Sequence, residues 1–449
     1  MTPAPSLTTD PILSLTWRIA LPMSVGMFFN TMFNVVDTLC AGWLGTEALA
    51  ALSLSFPVFF TVFAFGSGIS QGTTALLANA LGAGKTTEAR HIFAQAVVFT
   101  IVVASLLSVA GLLASPWLFG LLGAEGTYLD TVLAYMNVIL GGGVVMLLPI
   151  VLNSALSATG ESRFYRNFLI TGFFANVILN PILMEGWLGL PALGVSGIAF
   201  ATVLVQAGGA LYLMGRVKKA AFCQGLTWPE FRPNRNLLKQ LAAQAIPAAL
   251  NMLTVALGVF VITWFVKHFG KEAVAASGIA TRIEQIVLLP AIGLNAAVLS
   301  IVGQNHGAGL PHRVREAWVT NVKIGAVLMA LGGLLVGLLR EPAMRLFTSD
   351  PAVIRHGRDY LLSASLTLAA YPILFVTVFA MQGIKRPAYG LWIGLYRQIA
   401  APALVFHTLA FTFGWGLWGV WWGICLVTWS AALFALWWGS RQLRVRSTD

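Results

Sequence analysis

A chain of 449 residues that is 58% hydrophobic and only 10% charged, with mean hydropathy +0.81, carries more apolar surface than a water-soluble fold can hide. Apolar runs of about 20 residues recur along it, the length of a helix that crosses a bilayer, and the short alternating strands of a membrane barrel are missing. The formal charge of +11 is spread over many loops rather than gathered into a nucleic-acid surface, and Cys40, Cys223 and Cys425 have no metal-ligand spacing.

The expectation is an all-α integral membrane protein of about twelve spans. They fall at 15–40, 48–81, 91–113, 127–152, 164–183 and 193–215, then at 238–265, 274–304, 318–339, 356–381, 391–413 and 417–439. The N-terminal stretch has neither a basic n-region nor a small-residue cleavage site, so no removed signal peptide is expected.

The first span holds one acid, Asp37, and a proline, Pro22, about four turns upstream. A carboxylate inside a membrane is costly and marks a functional site by default. Its functional reading is a proton or Na⁺ site; the structural alternative is a hydrogen bond between helices. In the fifth span, NVILNP places Asn176 and Asn180 one turn apart on one face. Their neutral oxygens, with Asn34 in the first span and Thr202 in the sixth, can complete a polar pocket around Asp37. The alternative is ordinary helix–helix hydrogen bonding.

After the second span, LGAGKTT at 81–87 imitates a phosphate loop. The pattern needs another glycine where Asn79 stands, and the preceding segment is a helix rather than a strand, so it is a helix end followed by a basic turn. The longest polar connector, 216–239, falls near the midpoint and divides the chain into lobes 1–215 and 240–449. In the eighth span Glu284 is the second deep acid. Arg282, two residues away, points to another helix face, so a direct pair between them is disfavoured. Glu284 either lines a cavity or pairs with an arginine on another helix. Of the 28 Phe and 15 Trp most are packing or interface residues, while Tyr371, Tyr396, Phe260, Met27 and Met252 are candidates to line a cavity for large apolar cations.

Alternate loops are basic. Those joining Arg18, Lys85, Arg90, Arg163, Arg166, Arg216 to Lys239, Arg313 to Lys323, Lys385, Arg386, Arg397 and the C-terminus carry 20 of the 27 Lys plus Arg, which puts both termini in the cytoplasm. The halves also repeat. Pro22 matches Pro247, LGTEALAA at 44–51 matches FGKEAVAA at 269–276, and LGAG at 81–84 matches HGAG at 306–309, all with offset 225. LLPI matches AYPI and ATGESR at 158–163 matches MQGIKR at 381–386 with offset 223, and GVSGI at 194–198 matches GLWGV at 416–420 with offset 222. An even number of helices per repeat gives the halves the same orientation and leaves a cavity between them.

Taken together, VVDTLCAGWLGTEALAA at 35–51, SQGTTALLANALGAGK at 70–85, SATGESR at 157–163, RIEQIVLLPAIGLNAAVLSIVGQNHGAG at 282–309 and FAMQGIKRP at 379–387 resemble the MATE family, the multidrug and toxic compound extrusion antiporters. The resemblance implies two six-helix lobes related by a parallel pseudo-two-fold repeat, a V-shaped central cavity, and export of organic, mostly cationic compounds against inward H⁺ or Na⁺. The family's first-span acid falls on Asp37, its helix-bending proline on Pro22, its fifth-span polar pair on Asn176 and Asn180, and its sixth-span threonine on Thr202. Many members have Asp where this chain has Asn180. The carboxylates of NorM-like members in spans seven and ten are missing: no Asp or Glu lies between Ile246 and Thr263 or between Tyr360 and Met381. With one acid in the site the expected coupling ion is H⁺, as in the DinF-like branch, ahead of Na⁺. The implied partners are a small-molecule substrate and membrane lipid, with no nucleic acid, no metal and no cofactor beyond the coupling ion. The implied setting is a monomer in a bacterial-type inner membrane. No Ser–His–Asp set, HExxH or CxxC suggests an enzyme. The alternative function is a flippase for a lipid-linked or amphipathic substrate of the same superfamily.

Overall fold

The computed structural model describes residues 6–443, and all regular structure among them is helical. The first half contains α1 (Ile12–Leu44), α2 (Thr46–Gly82), α3 (Thr86–Leu121), α4 (Gly126–Gly141), α5 (Gly143–Ala158), α6 (Arg163–Glu185) and α7 (Val195–Val217). The second contains α8 (Arg235–Val266), α9 (Lys271–Gly307), α10 (Pro311–Arg345), α11 (Pro351–Thr367), α12 (Ala370–Gly383), α13 (Ala388–Leu395), α14 (Ala401–His407) and α15 (Leu417–Gln442).

Among the described residues nine helices are individually long and apolar enough to cross a membrane, and two bent pairs bring the number to eleven. The expected fourth span is one such pair: α4 and α5 meet at 48° across Gly141–Gly142–Gly143, where no side chain stiffens the backbone. The expected tenth span is the other: α11 and α12 meet at 51° just before Pro372, which has no N–H to give to the carbonyl of Leu368. The remaining expected span, 391–413, lies in a continuously helical stretch, 388–412, loosened by π turns at Tyr396–Ala400 and Thr408–Thr412. Arg397, grouped above with loop cations, sits inside the first of these turns.

The backbone carries the repeat in its glycines. Gly45 and Gly270 have φ 120° and 101°, and Gly84 and Gly309 have φ 71° and 70°, both pairs keeping the offset of 225. Gly194 (φ 55°, ψ −130°) and Gly416 (φ 59°, ψ −138°) share a conformation closed to L side chains and keep the offset of 222. One match moves. Gly160 donates to Ser157 with Glu161 donating to Leu156, and Lys385 donates to Gln382 with Arg386 donating to Met381. The turn after α5 therefore corresponds to the turn after α12 with offset 225 rather than 223, and Lys385, at φ 63°, occupies the place of Gly160 at 77°. The identical glycines that suggested 223 belong to different positions of the same helix-ending turn.

The first half packs around two clusters, one containing Leu77, Phe93, Leu152 and Phe168, the other Ala41, Phe119, Met136 and Ile198. A third, with Val266, Leu361, Phe406 and Trp421, lies within the second half. A fourth joins the halves, placing Leu7, Leu15 and Ile19 against Leu294, Val298 and Trp318. Between the lobes, α2 packs on α8 and α1 on α9. Glycines permit the close crossings: Gly68 faces Ala245 and Ala249, and Gly293, its counterpart, faces Ala20 and Ser24. The interlobe side-chain hydrogen bonds of Asn79, Gln304, Asn305, His306, Arg313 and Asn321 lie in the half of the bundle that carries the basic loops and the chain ends. This half is termed the basic end below.

Candidate functional site

α1 crosses the first lobe beside α6 and α7. Helical periodicity turns Asn176 and Asn180 of α6 to the same side, facing Asp37, and α7 brings Thr202 to the other carboxylate oxygen. Asn176 Nδ2 and Asn180 Nδ2 donate to Asp37 Oδ1 at 2.9 and 2.8 Å, and Thr202 Oγ1 donates to Oδ2 at 3.2 Å. The two amides also engage each other, Asn180 Nδ2 lying 3.2 Å from Asn176 Oδ1. All four residues are buried, Asp37 being 6% exposed and the asparagines 0%. Tyr135, also buried, stands close enough to feel the charge of Asp37.

Three of the four expected companions therefore meet Asp37; Asn34 does not. It is exposed, and its amide donates back to Asn30 O at 2.8 Å. Side chains on a helix lean toward its N-terminus, so Asn34 points a turn away from Asp37. Pro22 lies inside α1 as expected. The pocket contains one negative oxygen pair and three donors turned inward, an arrangement that fits an ionised carboxylate, which only accepts. A cation held there would take Asp37 together with the oxygens of Asn176, Asn180 and Thr202, once the amides turned those oxygens inward.

The second lobe holds Glu284, which is 6% exposed. Tyr360 Oη donates to Glu284 Oε2 at 2.7 Å, and Tyr371, also buried, stands near the carboxylate. The rings of Tyr371 and Phe375 stack at 5.6 Å, and the Arg397 guanidinium lies over both at 5.5 and 5.4 Å. Among the described residues no arginine pairs directly with Glu284; Arg397 lies over the Tyr371 and Phe375 rings instead. Arg282 is exposed and apart from it. Tyr360 is the counterpart of Tyr135 at offset 225, so each lobe sets a buried tyrosine near its buried acid. The signal for that tyrosine pair in the sequence is its repeat offset alone.

The other cavity candidates do not assemble. Met27 packs against the first-lobe core, Met252 is half-buried, and Phe260 and Tyr396 are 64% and 43% exposed, Tyr396 bonding Ser430 Oγ at 3.0 Å. The LGAGKTT stretch ends α2, turns at Gly84 and starts α3, as a helix–turn–helix corner and not a phosphate loop.

Comparison with known proteins follows the same division. The family profile described as MatE matches twice, at residues 22–182 and 247–406, beginning at Pro22 and Pro247. The chain is 30% identical over 396 residues to a FAD transporter of Shewanella oneidensis, covering 88% of this chain and 87% of the other. It is 26% identical over 448 residues to the probable multidrug resistance protein YoeA of Bacillus subtilis, covering 90% and 95%. Its fold superposes on a crystal structure of MATE in complex with MaL6 at TM-score 0.91, with 25% identity and 99% of each chain covered.

Proposed function

Since this chain belongs to the MatE family of membrane transporters, we propose that it exports organic compounds, chiefly cations, in exchange for inward H⁺ by alternating access, with Asp37 as the proton site. The supporting observation is the carboxylate of Asp37 buried among three neutral donors, with no arginine or lysine among the described residues bonded to it. Ionised, it satisfies all three. On taking a proton one oxygen becomes a donor, so a partner of that oxygen must turn from donating to accepting and the pocket rearranges. Thr202, with the longest bond at 3.2 Å and a hydroxyl that can accept, is the first partner to turn. α1 yields at Pro22, where the helix already lacks one backbone bond. The movement displaces the exported compound on the outer side, and release of the proton inside resets the cycle. The driving force is about 2.3 kcal/mol per charge per 100 mV, plus the pH difference. In this reading the basic end is cytoplasmic and closed, and the cleft opens outward.

Asp37→Asn keeps the shape of the pocket and removes the titration. In proteoliposomes with an imposed pH gradient, wild type exports a fluorescent cationic dye and Asp37→Asn, eluting as a folded monodisperse protein, exports none. Normal export by the variant overturns the reading. A Na⁺ gradient in place of the pH gradient separates the two coupling ions.

The 30% identical FAD transporter favours a second cargo. In the same vesicles FAD is offered alongside the dye. Export of FAD alone moves the substrate from organic cations to flavin nucleotides and leaves the coupling site in place.

A further inference from the structure

The lobes are joined at the basic end by contacts that map onto themselves when the halves are exchanged. Asn79, near the end of α2, donates through Nδ2 to its own helix at Ala75 O (2.7 Å) and across the seam to Gly383 O (2.8 Å), the last residue of α12. Gln304, its counterpart at offset 225 and near the end of α9, donates through Nε2 to Ala158 O at 2.7 Å, the last residue of α5. Ala158 and Gly383 are themselves counterparts at the same offset. One turn further on, a Cβ at Gly82 would collide with the Gln304 carbonyl, and a Cβ at Gly307 with the Asn79 carbonyl. Between these contacts Gly303 packs on Ala78, another pair at that offset. The seam is isologous, like a two-fold dimer interface built within one chain.

The acceptors are helix-end carbonyls, which have no partner inside their own helices. Each is served from the opposite lobe by a neutral amide, so separating the lobes breaks both bonds and hands four polar groups to water. Neutral bonds exchanged with water are modest in net strength, which suits a closure that must reopen every cycle. One arm carries an addition. His306 Nδ1 lies 2.7 Å from Asn79 Oδ1, and because the Asn79 amide nitrogen is spent on two carbonyls, His306 must hold a proton on Nδ1 and donate it. Its counterpart, Leu81, cannot do this. Lys385 and Arg386 also lie at this seam, and their charge acts on His306.

We propose that Asn79 and Gln304 form a two-armed latch that holds the basic end shut and releases when the transporter opens toward that side. The latch rests on the alternating-access reading above. The experiment places spin labels at Thr87→Cys and His312→Cys, exposed positions related by the repeat and lying on opposite lobes, in the full chain in liposomes. The native cysteines are buried and do not compete for label. The expected result is one short distance in wild type. Asn79→Ala and Gln304→Ala each raise the open-to-closed ratio about three- to tenfold, and the double variant raises it by about the product. Gln304→Glu keeps the shape of the side chain but presents an acceptor to the Ala158 carbonyl, and it opens at least as far as Gln304→Ala. A wild-type distance distribution in the double variant, while an imposed pH gradient still lengthens the distance in wild type, overturns the latch alone. A distance that no gradient, dye or variant changes overturns the latch and alternating access together.

Discussion

At the residue scale the site is a carboxylate whose partners are all neutral, and its ion preference follows from how many negative oxygens it holds. Asn180 is the residue to change. Asn180→Asp adds a second carboxylate at the position now 2.8 Å from Asp37 Oδ1. Two adjacent carboxylates repel unless a cation or a proton lies between them. The variant should gain Na⁺-stimulated efflux, read as the ratio of dye export under Na⁺ and pH gradients. A ratio unchanged from wild type would show that charge at this position does not select the ion. Thr202→Val removes the longest bond and should slow export several-fold without abolishing it, since Asn176 and Asn180 still hold Oδ1.

At the element scale, helix ends rather than helix interiors carry the strain. Gly194 and Gly416 open α7 and α15 at φ 55° and 59°. Gly194→Ala and Gly416→Ala should each cost about 1–3 kcal/mol and lower the melting temperature in detergent. Gly208→Ala is the control: it lies inside α7 with nothing within 4 Å of an added Cβ, and it should gain about 0.5–1 kcal/mol. Lys385 takes a left-handed position that its counterpart fills with Gly160, so Lys385→Gly should stabilise by about 1 kcal/mol. The bends follow the same logic. Gly141–Gly142–Gly143 and Pro372 mark them in the sequence, while their angles of 48° and 51° depend on how each lobe packs.

At the scale of the whole molecule, the connector between the lobes is held against α3. Gln95 Nε2 donates to Glu230 O and Arg232 O, both at 2.8 Å, and its Oε1 accepts from Asn234 N at 2.8 Å. Arg90 Nε donates to Glu230 Oε1 at 2.6 Å, and Thr227 N donates to Oε2 at 2.8 Å. Burial pushes the Glu230 carboxyl up, but the Thr227 N–H and the Arg90 guanidinium outweigh it and hold it below the usual carboxylate range. A depressed folded value means stability that is present above the unfolded value and lost as pH falls through the folded one. The melting temperature should therefore decline on acidification below the ordinary carboxylate range. Glu230→Gln should start lower at neutral pH and flatten that decline; an unchanged acid limb would show that the connector is not held by this ion pair.

Much of this architecture is legible in the sequence because a bilayer admits few solutions. A backbone in hydrocarbon must satisfy its own hydrogen bonds, so apolar length points to helices and to where the spans fall, though not to their breaks or exact ends. The repeat of Pro22 and Pro247, and of the glycine turns at Gly84 and Gly309, shows in the residues because those conformations admit few others. Asp37 stood out because an acid in an apolar run is expensive, and Asn176 and Asn180 because a one-turn spacing fixes a common face. What only the tertiary structure decided depends on contacts between helices far apart in the chain. These are the exclusion of Asn34, the hydrogen bond from Tyr360 to Glu284, the offset at Lys385, and the crossed bonds of Asn79 and Gln304. Helical periodicity gives the direction of a side chain around its own axis, but not which helix stands opposite, and polar side chains inside a membrane take their meaning from that neighbour.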